Sequence, residues 1–308
     1  MAMSVSLTTI VGAGAGAALL ALSLPYLATL SGTGALLSFV PEFPIPDFPL
    51  FYSPPAPLTT PFICEPSSYR TEIISLDPLL IYIHSFLKPA DISALLEIAE
   101  PRFQPSEVVK HGRASQRTLD RTSSSAGLPR QEPAVACVLG RAREFMGAML
   151  RDGWDEMGPP QLVRYTAGQR FNVHHDWYDT PRWATDGSSR KWNRVASFFA
   201  ILQDNCTDGE THFPYLQPAV LDHRKDATGQ KTAEGSKEPR RWKAADPVWR
   251  QHEDGGLAFR PITGNALFWV NLHANGTGDG RTMHSGLPVG EGLKTAMNIW
   301  PRQYYSAY

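Results

Sequence analysis

Three residues of this chain have the types and spacing of a mononuclear metal site. His174 and Asp176 form a His-x-Asp pair, and His284 follows far downstream. Two histidines and one carboxylate are the facial ligand set that holds iron(II) and leaves positions open for oxygen chemistry. Lys294, ten residues after His284, supplies a fixed cation of the kind that a dicarboxylate cosubstrate requires. Together these residues predict an oxygenase that uses iron and 2-oxoglutarate.

The His-x-Asp pair has little specificity by itself, because the chain holds nine histidines and thirty acidic residues. On an extended strand, side chains two residues apart face the same way. His174 and Asp176 would then share a face, and His175 would point away from the metal. The distal His284 must come from a neighbouring strand. For any one of these histidines, a hydrogen-bonded structural role is the alternative.

The elements that must position these residues divide into helices followed by strands. Helical periodicity predicts one helix beginning near Pro89 and another over 133–150, with Cys137 packed in the core. Runs of β-branched and aromatic residues predict strands at 73–76, 79–83, 161–166, 195–202, 266–272 and 295–300. This order favours an α+β fold with a mainly β core, in which helices support a sandwich of antiparallel sheets such as a jelly roll.

Several phrases surround the site residues in a fixed order. They are Arg164-Tyr165-Thr166-Ala167-Gly168-Gln169, His174-His175-Asp176, Asp208-Gly209-Glu210-Thr211-His212-Phe213-Pro214 and His284-Ser285-Gly286-Leu287-Pro288-Val289. Over residues 73–302, the chain resembles the prolyl 4-hydroxylase family of 2-oxoglutarate oxygenases. The resemblance implies a double-stranded β-helix of the cupin type with N-terminal supporting helices.

The resemblance also implies roles for the site residues. His174, Asp176 and His284 would be the catalytic iron(II) ligands. Tyr165 and Lys294 would bind the distal carboxylate of 2-oxoglutarate. The alternative for the lysine is a position on an edge strand facing water.

Trp300 would form part of the pocket wall on the same basis, and the alternative for it is a core aromatic residue. Arg117, Arg121 and Trp177 are candidate substrate-side groups, although packing or solvated roles fit each of them equally well.

The resemblance implies a peptide substrate and hydroxylation of peptidyl proline by O2, with oxidative decarboxylation of 2-oxoglutarate to succinate and CO2 and with ascorbate as reductant. The same chemistry on a small metabolite or on another residue is the first alternative, because loops determine substrate choice. A jelly-roll binding module without catalysis is the second, and the complete ligand set argues against it.

The N-terminal sequence predicts a membrane segment. No charged residue occurs in residues 1–41, and leucines at 19–30 make the segment apolar over a length that can span a bilayer. A signal anchor or signal peptide is expected over 1–40, a proline-rich linker over 41–70, and a single dioxygenase domain over 71–308. Two glycosylation acceptor triplets, Asn205-Cys206-Thr207 and Asn275-Gly276-Thr277, favour a lumenal domain in the endoplasmic reticulum or another secretory membrane.

Composition narrows the remaining possibilities. A net charge of −1 gives no reason to expect a nucleic-acid partner. Three cysteines allow at most one disulfide and one free thiol. The polar segment 218–261 is expected to be a solvated insertion loop, with a lid over the site as the alternative.

Overall fold

The computed structural model of the protein describes residues 61–107, 118–217 and 240–306. These residues belong to one compact unit that extends from Leu58 to Tyr308. The expected membrane segment over 1–40, most of the linker, Arg117 and the first half of the polar insertion lie outside the described residues. Within the described residues, no helix has the length and apolar character needed to span a bilayer.

The described chain contains two α-helices, α1 (Pro89–Ala99) and α2 (Pro133–Met146), among antiparallel strands. The strands are β1 (Arg70–Leu76), β2 (Leu79–His84), β3 (Gln104–Pro105), β4 (Ser124–Gly127), β5 (Glu156–Met157), β6 (Gln161–Thr166), β7 (Phe171–His174), β8 (Arg182–Trp183), β9 (Arg190–Arg194), β10 (Ala196–Asp208), β11 (Thr211–Phe213), β12 (Trp249–Gln251), β13 (Leu257–Phe259), β14 (Ala266–Val270), β15 (His284–Gly286), β16 (Val289–Ile299) and β17 (Pro301–Ser306).

The strands form a double-stranded β-helix with helices on one outer face, as the sequence predicted. An eight-stranded sheet has the order β1-β2-β14-β10-β16-β6-β4-β3, and a five-stranded sheet has the order β12-β13-β11-β15-β7. The side chains of strand β10 alternate between the two faces of the larger sheet, so both faces are packed. Phe198, Ala200 and Leu202 pack in one core cluster with α1 and α2, whereas Ile201 packs with β6 and β16 on the other face.

Helix α1 begins at Pro89, where a missing N–H leaves no hydrogen bond unmade. Asp91 accepts a hydrogen bond from the Lys88 backbone N–H at 2.8 Å. It also receives one from Arg141 of α2 at 2.5 Å, and both of these charged side chains are buried. Arg141 further donates to the carbonyl of Phe86 at 2.8 Å. The two helices are therefore held to each other and to the end of β2 by a buried, hydrogen-bonded ion pair.

Two expectations about the helical half need correction. Cys137 does not simply pack in the core, because it forms a disulfide with Cys64, which precedes β1. Helix α2 also ends at Met146, before the predicted residue 150. Gly147 follows it with a φ of +48°, and a short 3₁₀ turn occupies Gly147–Met149.

The expectation of a solvated loop over 218–261 is wrong for its second half. Strands β12 and β13 lie there and form the outer part of the five-stranded sheet. Leu257 and Phe259 are buried against Phe213 and Trp269, so this short apolar run contributes to the core. Residues 218–239 lie outside the described residues.

Candidate metal centre

The two histidines of the predicted triad lie opposite each other on paired strands. In the antiparallel pair β7 and β15, His174 is the direct partner of His284. The sequence had suggested that Asp176 lies on the same strand as His174. Strand β7 ends at His174, however, and Asp176 lies in the bend that follows. The bend still returns the carboxylate to both imidazoles, 4.0 Å from His174 Nε2 and 3.8 Å from His284 Nε2.

Backbone carbonyls fix the orientation of both imidazoles. His174 Nδ1 lies 2.8 Å from the carbonyl oxygen of Asn172, and His284 Nδ1 lies 3.1 Å from that of Thr282. A carbonyl oxygen can only accept, so each Nδ1 carries the hydrogen and each Nε2 presents a lone pair to the site. The two Nε2 atoms are therefore free to act as ligands.

A chain of hydrogen bonds holds the Asp176 carboxylate. Its Oδ2 accepts from Ser197 Oγ at 2.7 Å and from Trp300 Nε1 at 3.0 Å. Ser197 in turn accepts from Asn271 Nδ2 at 2.9 Å. These three partners come from β10, from the end of β14 and from the residue after β16. Ser197 and Trp300 bond directly to Oδ2, and Asn271 holds Ser197, so together they fix how the carboxylate faces the histidines.

The charge states suit a metal cation. Burial lowers the pKa of His174, and the adjacent His284 lowers it further. Burial also lowers the pKa of His284. For Asp176, burial alone would raise the pKa, but the charges of His284, His174 and Arg194 and the hydrogen bond from Ser197 hold it below the usual value. At neutral pH the site thus offers two neutral imidazoles and one carboxylate, the protonation state in which these groups bind metals.

The donor set fits iron(II). One atom from each of His174, Asp176 and His284 lies within 4.8 Å of the other two, and this is the group in the described chain that has metal-ligand character. Three protein ligands of this kind leave open positions on the metal. His175 is not in the group. It stacks on Trp177 at 4.3 Å between ring centroids, and its Nδ1 bonds to the Trp177 carbonyl at 3.0 Å.

The metal centre lies in a cavity of about 1410 Å³. Tyr165, Phe171, Phe199 and Trp300 contribute aromatic surface near the ligands. Cationic groups also line the wall, namely Arg121, Arg182, Lys191 and Arg194. The cavity therefore has room for more than a metal and a small dicarboxylate.

Lys294 lies behind two of these aromatic rings. It is only 1% exposed, and its Nζ is 5.3 Å from the ring centre of Phe199 and 5.7 Å from that of Tyr165. Nζ donates a hydrogen bond to the carbonyl of Gly209 at 2.6 Å, and within the described chain it forms no ion pair. Burial lowers the pKa of Lys294 to about 8. A buried ammonium without a counter-ion is unfavourable, so this position suits an anionic ligand and does not fit the edge-strand alternative.

The structure brings together the other residues that the sequence indicated. Tyr165 is the direct partner of Lys294 across β6 and β16, and it is buried at the cavity wall. Trp300 lines the cavity and also bonds to the Asp176 carboxylate. Arg121 and Trp177 are cavity-lining residues as well.

Sequence reasoning missed Ser197, Asn271 and Arg194. Arg194 donates to the Asp176 carbonyl at 3.2 Å and lies 3.8 Å above the Trp300 ring. The available signal was a polar residue inside an apolar run, as at Ser197 between Ala196 and Phe198.

Comparison with known proteins supports the predicted class of enzyme. Residues 160–302 match the model of the 2OG-Fe(II) oxygenase superfamily, and they include every residue of the metal centre and Lys294. Over these residues the chain is similar to that superfamily, in agreement with the predicted 2-oxoglutarate-dependent dioxygenase. The predictions of iron(II) as cofactor and 2-oxoglutarate as cosubstrate are thereby confirmed.

This oxygenase is also similar to named prolyl 4-hydroxylases. It is 28% identical to prolyl 4-hydroxylase 1 of Arabidopsis thaliana over 239 residues, which cover 76% of this chain and 72% of that protein. It is 28% identical to the human prolyl 4-hydroxylase subunit alpha-3 over 76% of this chain, but only 36% of the human subunit is matched. The predicted resemblance to prolyl 4-hydroxylases is confirmed at this level.

A solved structure gives a weaker likeness to the oxygenase. The collagen prolyl hydroxylase of Paramecium Bursaria Chlorella virus-1, in complex with 2OG, superposes with a TM-score of 0.47 at 18% identity. The match covers 72% of this chain and 95% of the viral chain.

Proposed function

We propose that this oxygenase hydroxylates proline in a peptide or protein substrate while it converts 2-oxoglutarate to succinate and CO2. The complete set of His174, Asp176, His284 and buried Lys294 carries the chemical part of the proposal. Similarity to proteins named prolyl 4-hydroxylases supports proline as the substrate residue. We further propose ascorbate as the reductant that keeps the iron in its iron(II) state.

The size of the cavity favours a peptide over a small metabolite. Pockets for small ligands typically measure about 300–1,000 Å³, whereas this cavity measures about 1410 Å³. Its outer part includes the exposed ring of Trp183, with 58% of the residue accessible, and the strand pair β8 and β9. An extended chain could lie along this rim and present one side chain to the metal centre.

The protein's own groups have separable tasks in this reaction. His174, Asp176 and His284 would hold iron(II), and Ser197 would keep the Asp176 carboxylate in place through Oδ2. The bound iron and cosubstrate together supply the activation of O2 and the decarboxylation.

The cosubstrate would be oriented from the opposite end. Lys294 would exchange its bond to the Gly209 carbonyl for the distal carboxylate of 2-oxoglutarate, and the Tyr165 hydroxyl would donate to the same carboxylate. Phe199 lies beside the ammonium and would shield this ion pair from water.

Paired assays of cosubstrate and substrate test the function. The purified enzyme should form succinate from 2-oxoglutarate and should hydroxylate proline-rich peptides, detected by mass spectrometry. His174→Ala should lose iron(II) binding and succinate formation, whereas His175→Ala should keep the iron stoichiometry, because His175 lies outside the ligand group. Succinate formation that no proline peptide stimulates, with no hydroxylated product, would favour a metabolite substrate.

We also propose a secretory-pathway location, in the endoplasmic reticulum or a related membrane, with residues 71–308 in the lumen. The uncharged N-terminal sequence supports an anchor or signal peptide. The Cys64–Cys137 disulfide supports an oxidising compartment. Protease protection of the domain in intact microsomes, and its loss on adding detergent, would test this location. Cleavage before detergent is added would contradict it.

A further inference from the structure

The chain has two glycosylation acceptor triplets, and the structure places them in very different surroundings. Asn275-Gly276-Thr277 lies in the turn between β14 and β15, where Asn275 and Thr277 are both exposed. Asn205-Cys206-Thr207 lies within β10, where Asn205 pairs with Leu293 of β16 and Thr207 is buried. The sequence alone gives no reason to prefer one triplet as a glycosylation site, but their local structures differ.

The Asn275 side chain is folded back onto Thr277 in an Asx turn. Its Oδ1 accepts the backbone N–H of Thr277 at 3.0 Å and the Thr277 hydroxyl at 2.7 Å. Both bonds withdraw electron density toward the amide oxygen, which makes an Nδ2 proton easier to remove. Nδ2 is left pointing away from these bonds, on an exposed residue.

The turn that carries Asn275 is firmly supported on its inner side. His273 N–H donates to the Thr277 carbonyl at 2.8 Å, and Gly276 N–H donates to the His273 carbonyl at 2.9 Å. Gly278 lies directly on Trp177, because a Cβ at this glycine would be only 1.9 Å from the indole nitrogen. The folded turn therefore holds one face against the protein and leaves Asn275 on the other.

The second triplet is held in a way that opposes the same conformation. The Thr207 hydroxyl oxygen accepts the backbone N–H of Glu291 at 2.8 Å, and strand pairing keeps Asn205 extended. An extended acceptor cannot fold its asparagine back onto the threonine two residues later. Asn205 therefore serves as an internal control within the same chain.

We propose that Asn275 carries an N-linked glycan and that Asn205 does not. The proposal rests on the lumenal location proposed above. The donor is a lipid-linked oligosaccharide pyrophosphate: a bond forms between Asn275 Nδ2 and the anomeric carbon of the sugar, and the bond from that carbon to the pyrophosphate oxygen breaks. A base of the transferase takes one Nδ2 proton, and the lipid pyrophosphate leaves. For the glycosyl transferase, the acceptor is the exposed Asx turn at Asn275.

The test expresses the full chain in a eukaryotic secretory host and measures gel mobility before and after treatment with peptide N-glycosidase. We expect one step of mobility shift, lost in Asn275→Gln and in Thr277→Ala but kept in Thr277→Ser and Asn205→Gln. Mass spectrometry should find aspartate at position 275 after deglycosylation. A shift that Asn205→Gln removes and Asn275→Gln keeps, or a shift of two glycans, would overturn the proposal.

A second acceptor site, introduced by mutation, distinguishes two reasons for a missing glycan: Asn275 is not used, or the domain does not reach the lumen. Asp186→Asn creates an Asn-Gly-Ser triplet with Gly187 and Ser188 in the exposed turn between β8 and β9. A glycan on this variant at position 186 alone would show that the domain reaches the lumen and that Asn275 is not used. No glycan on either protein would contradict both the location and the modification. Either result overturns the proposal.

Discussion

Lys294 should make the binding of 2-oxoglutarate depend on pH. In the cosubstrate-free protein, burial lowers the pKa of this ammonium to about 8. Only the protonated form can pair with the distal carboxylate, so the apparent dissociation constant varies inversely with the protonated fraction. That fraction is about nine-tenths at pH 7 and about one-tenth at pH 9, so 2-oxoglutarate should bind ~10-fold more weakly at pH 9.

Binding of 2-oxoglutarate should also be accompanied by proton uptake at Lys294. At pH 8 about half of the free protein lacks the Lys294 proton, so binding should take up about half a proton per site. Anaerobic calorimetric titrations of the iron(II) enzyme, in buffers with different ionisation enthalpies, measure both the affinity and this uptake. Lys294→Arg is the matched control, because a guanidinium stays charged across the range and should remove the dependence. A constant affinity from pH 7 to pH 9, or the same slope in Lys294→Arg, would refute the role of Lys294.

In the absence of cosubstrate, the stability of the fold should rise with pH, whereas the affinity for 2-oxoglutarate should fall with pH. The folded pKa of about 8 lies below the ordinary value of 10.5, so the unfolded chain binds more protons between these two pH values. Stability therefore rises with pH across this window, and below pH 8 the buried ammonium costs up to ~3 kcal/mol. Lys294→Met should raise the melting temperature at pH 7 while it abolishes 2-oxoglutarate binding. A lower melting temperature would show that the ammonium is not an unfavourable buried charge.

Two further predictions concern the carboxylate support and the disulfide. Ser197→Ala removes the 2.7 Å bond to the Asp176 carboxylate, so iron(II) affinity should fall by about 10–100-fold in a metal titration; an unchanged affinity would contradict this support. The Cys64–Cys137 disulfide closes a loop of 73 residues, so Cys137→Ser should lower the unfolding free energy by up to about 4 kcal/mol in denaturant titrations. Cys206→Ser should leave it nearly unchanged, because that thiol is free.

Regular elements with a strong local pattern could be predicted closely from the sequence. Strand β6 spans Gln161–Thr166, as expected from a short segment with β-branched and aromatic residues between Pro160 and Gly168. Helix α1 begins at Pro89 because its apolar spacing and its first-turn proline agree. In both cases the information lies within a few consecutive residues, which is the range over which periodicity and capping act.

Elements that depend on distant partners could not be predicted in the same way. Strand β13 has only three residues, Leu257–Phe259, inside a polar segment. Its state is decided by pairing with Thr211–Phe213 and by burial beside Trp269. Neither partner is visible from the local sequence, so the polar neighbours of β13 suggested a loop.

In the metal centre, too, some residues could be recognised from the local sequence, whereas others depend on contacts between distant strands. His174, Asp176 and His284 could be recognised because metal binding restricts residue type and spacing. Ser197 and Asn271 could not, since a hydroxyl or an amide inside an apolar strand has many possible partners. Their function is set by adjacency of β10 and β14 in the sheet, which brings Asn271 Nδ2 within 2.9 Å of Ser197 Oγ.

Lys294 gives the strongest reason to regard the cavity as a binding site and not as a packing defect. A buried polar wall could be explained by its hydrogen bonds, but a buried ammonium without an ion pair among the described residues lowers the stability of the protein. A carboxylate that entered beside Tyr165 would compensate this charge. The three metal ligands alone would suit iron enzymes with many different substrates. The Lys294 ammonium, in contrast, favours an anionic group at one fixed place in the site. Among the described residues this ammonium has no anionic partner, and the proposed cosubstrate would supply one.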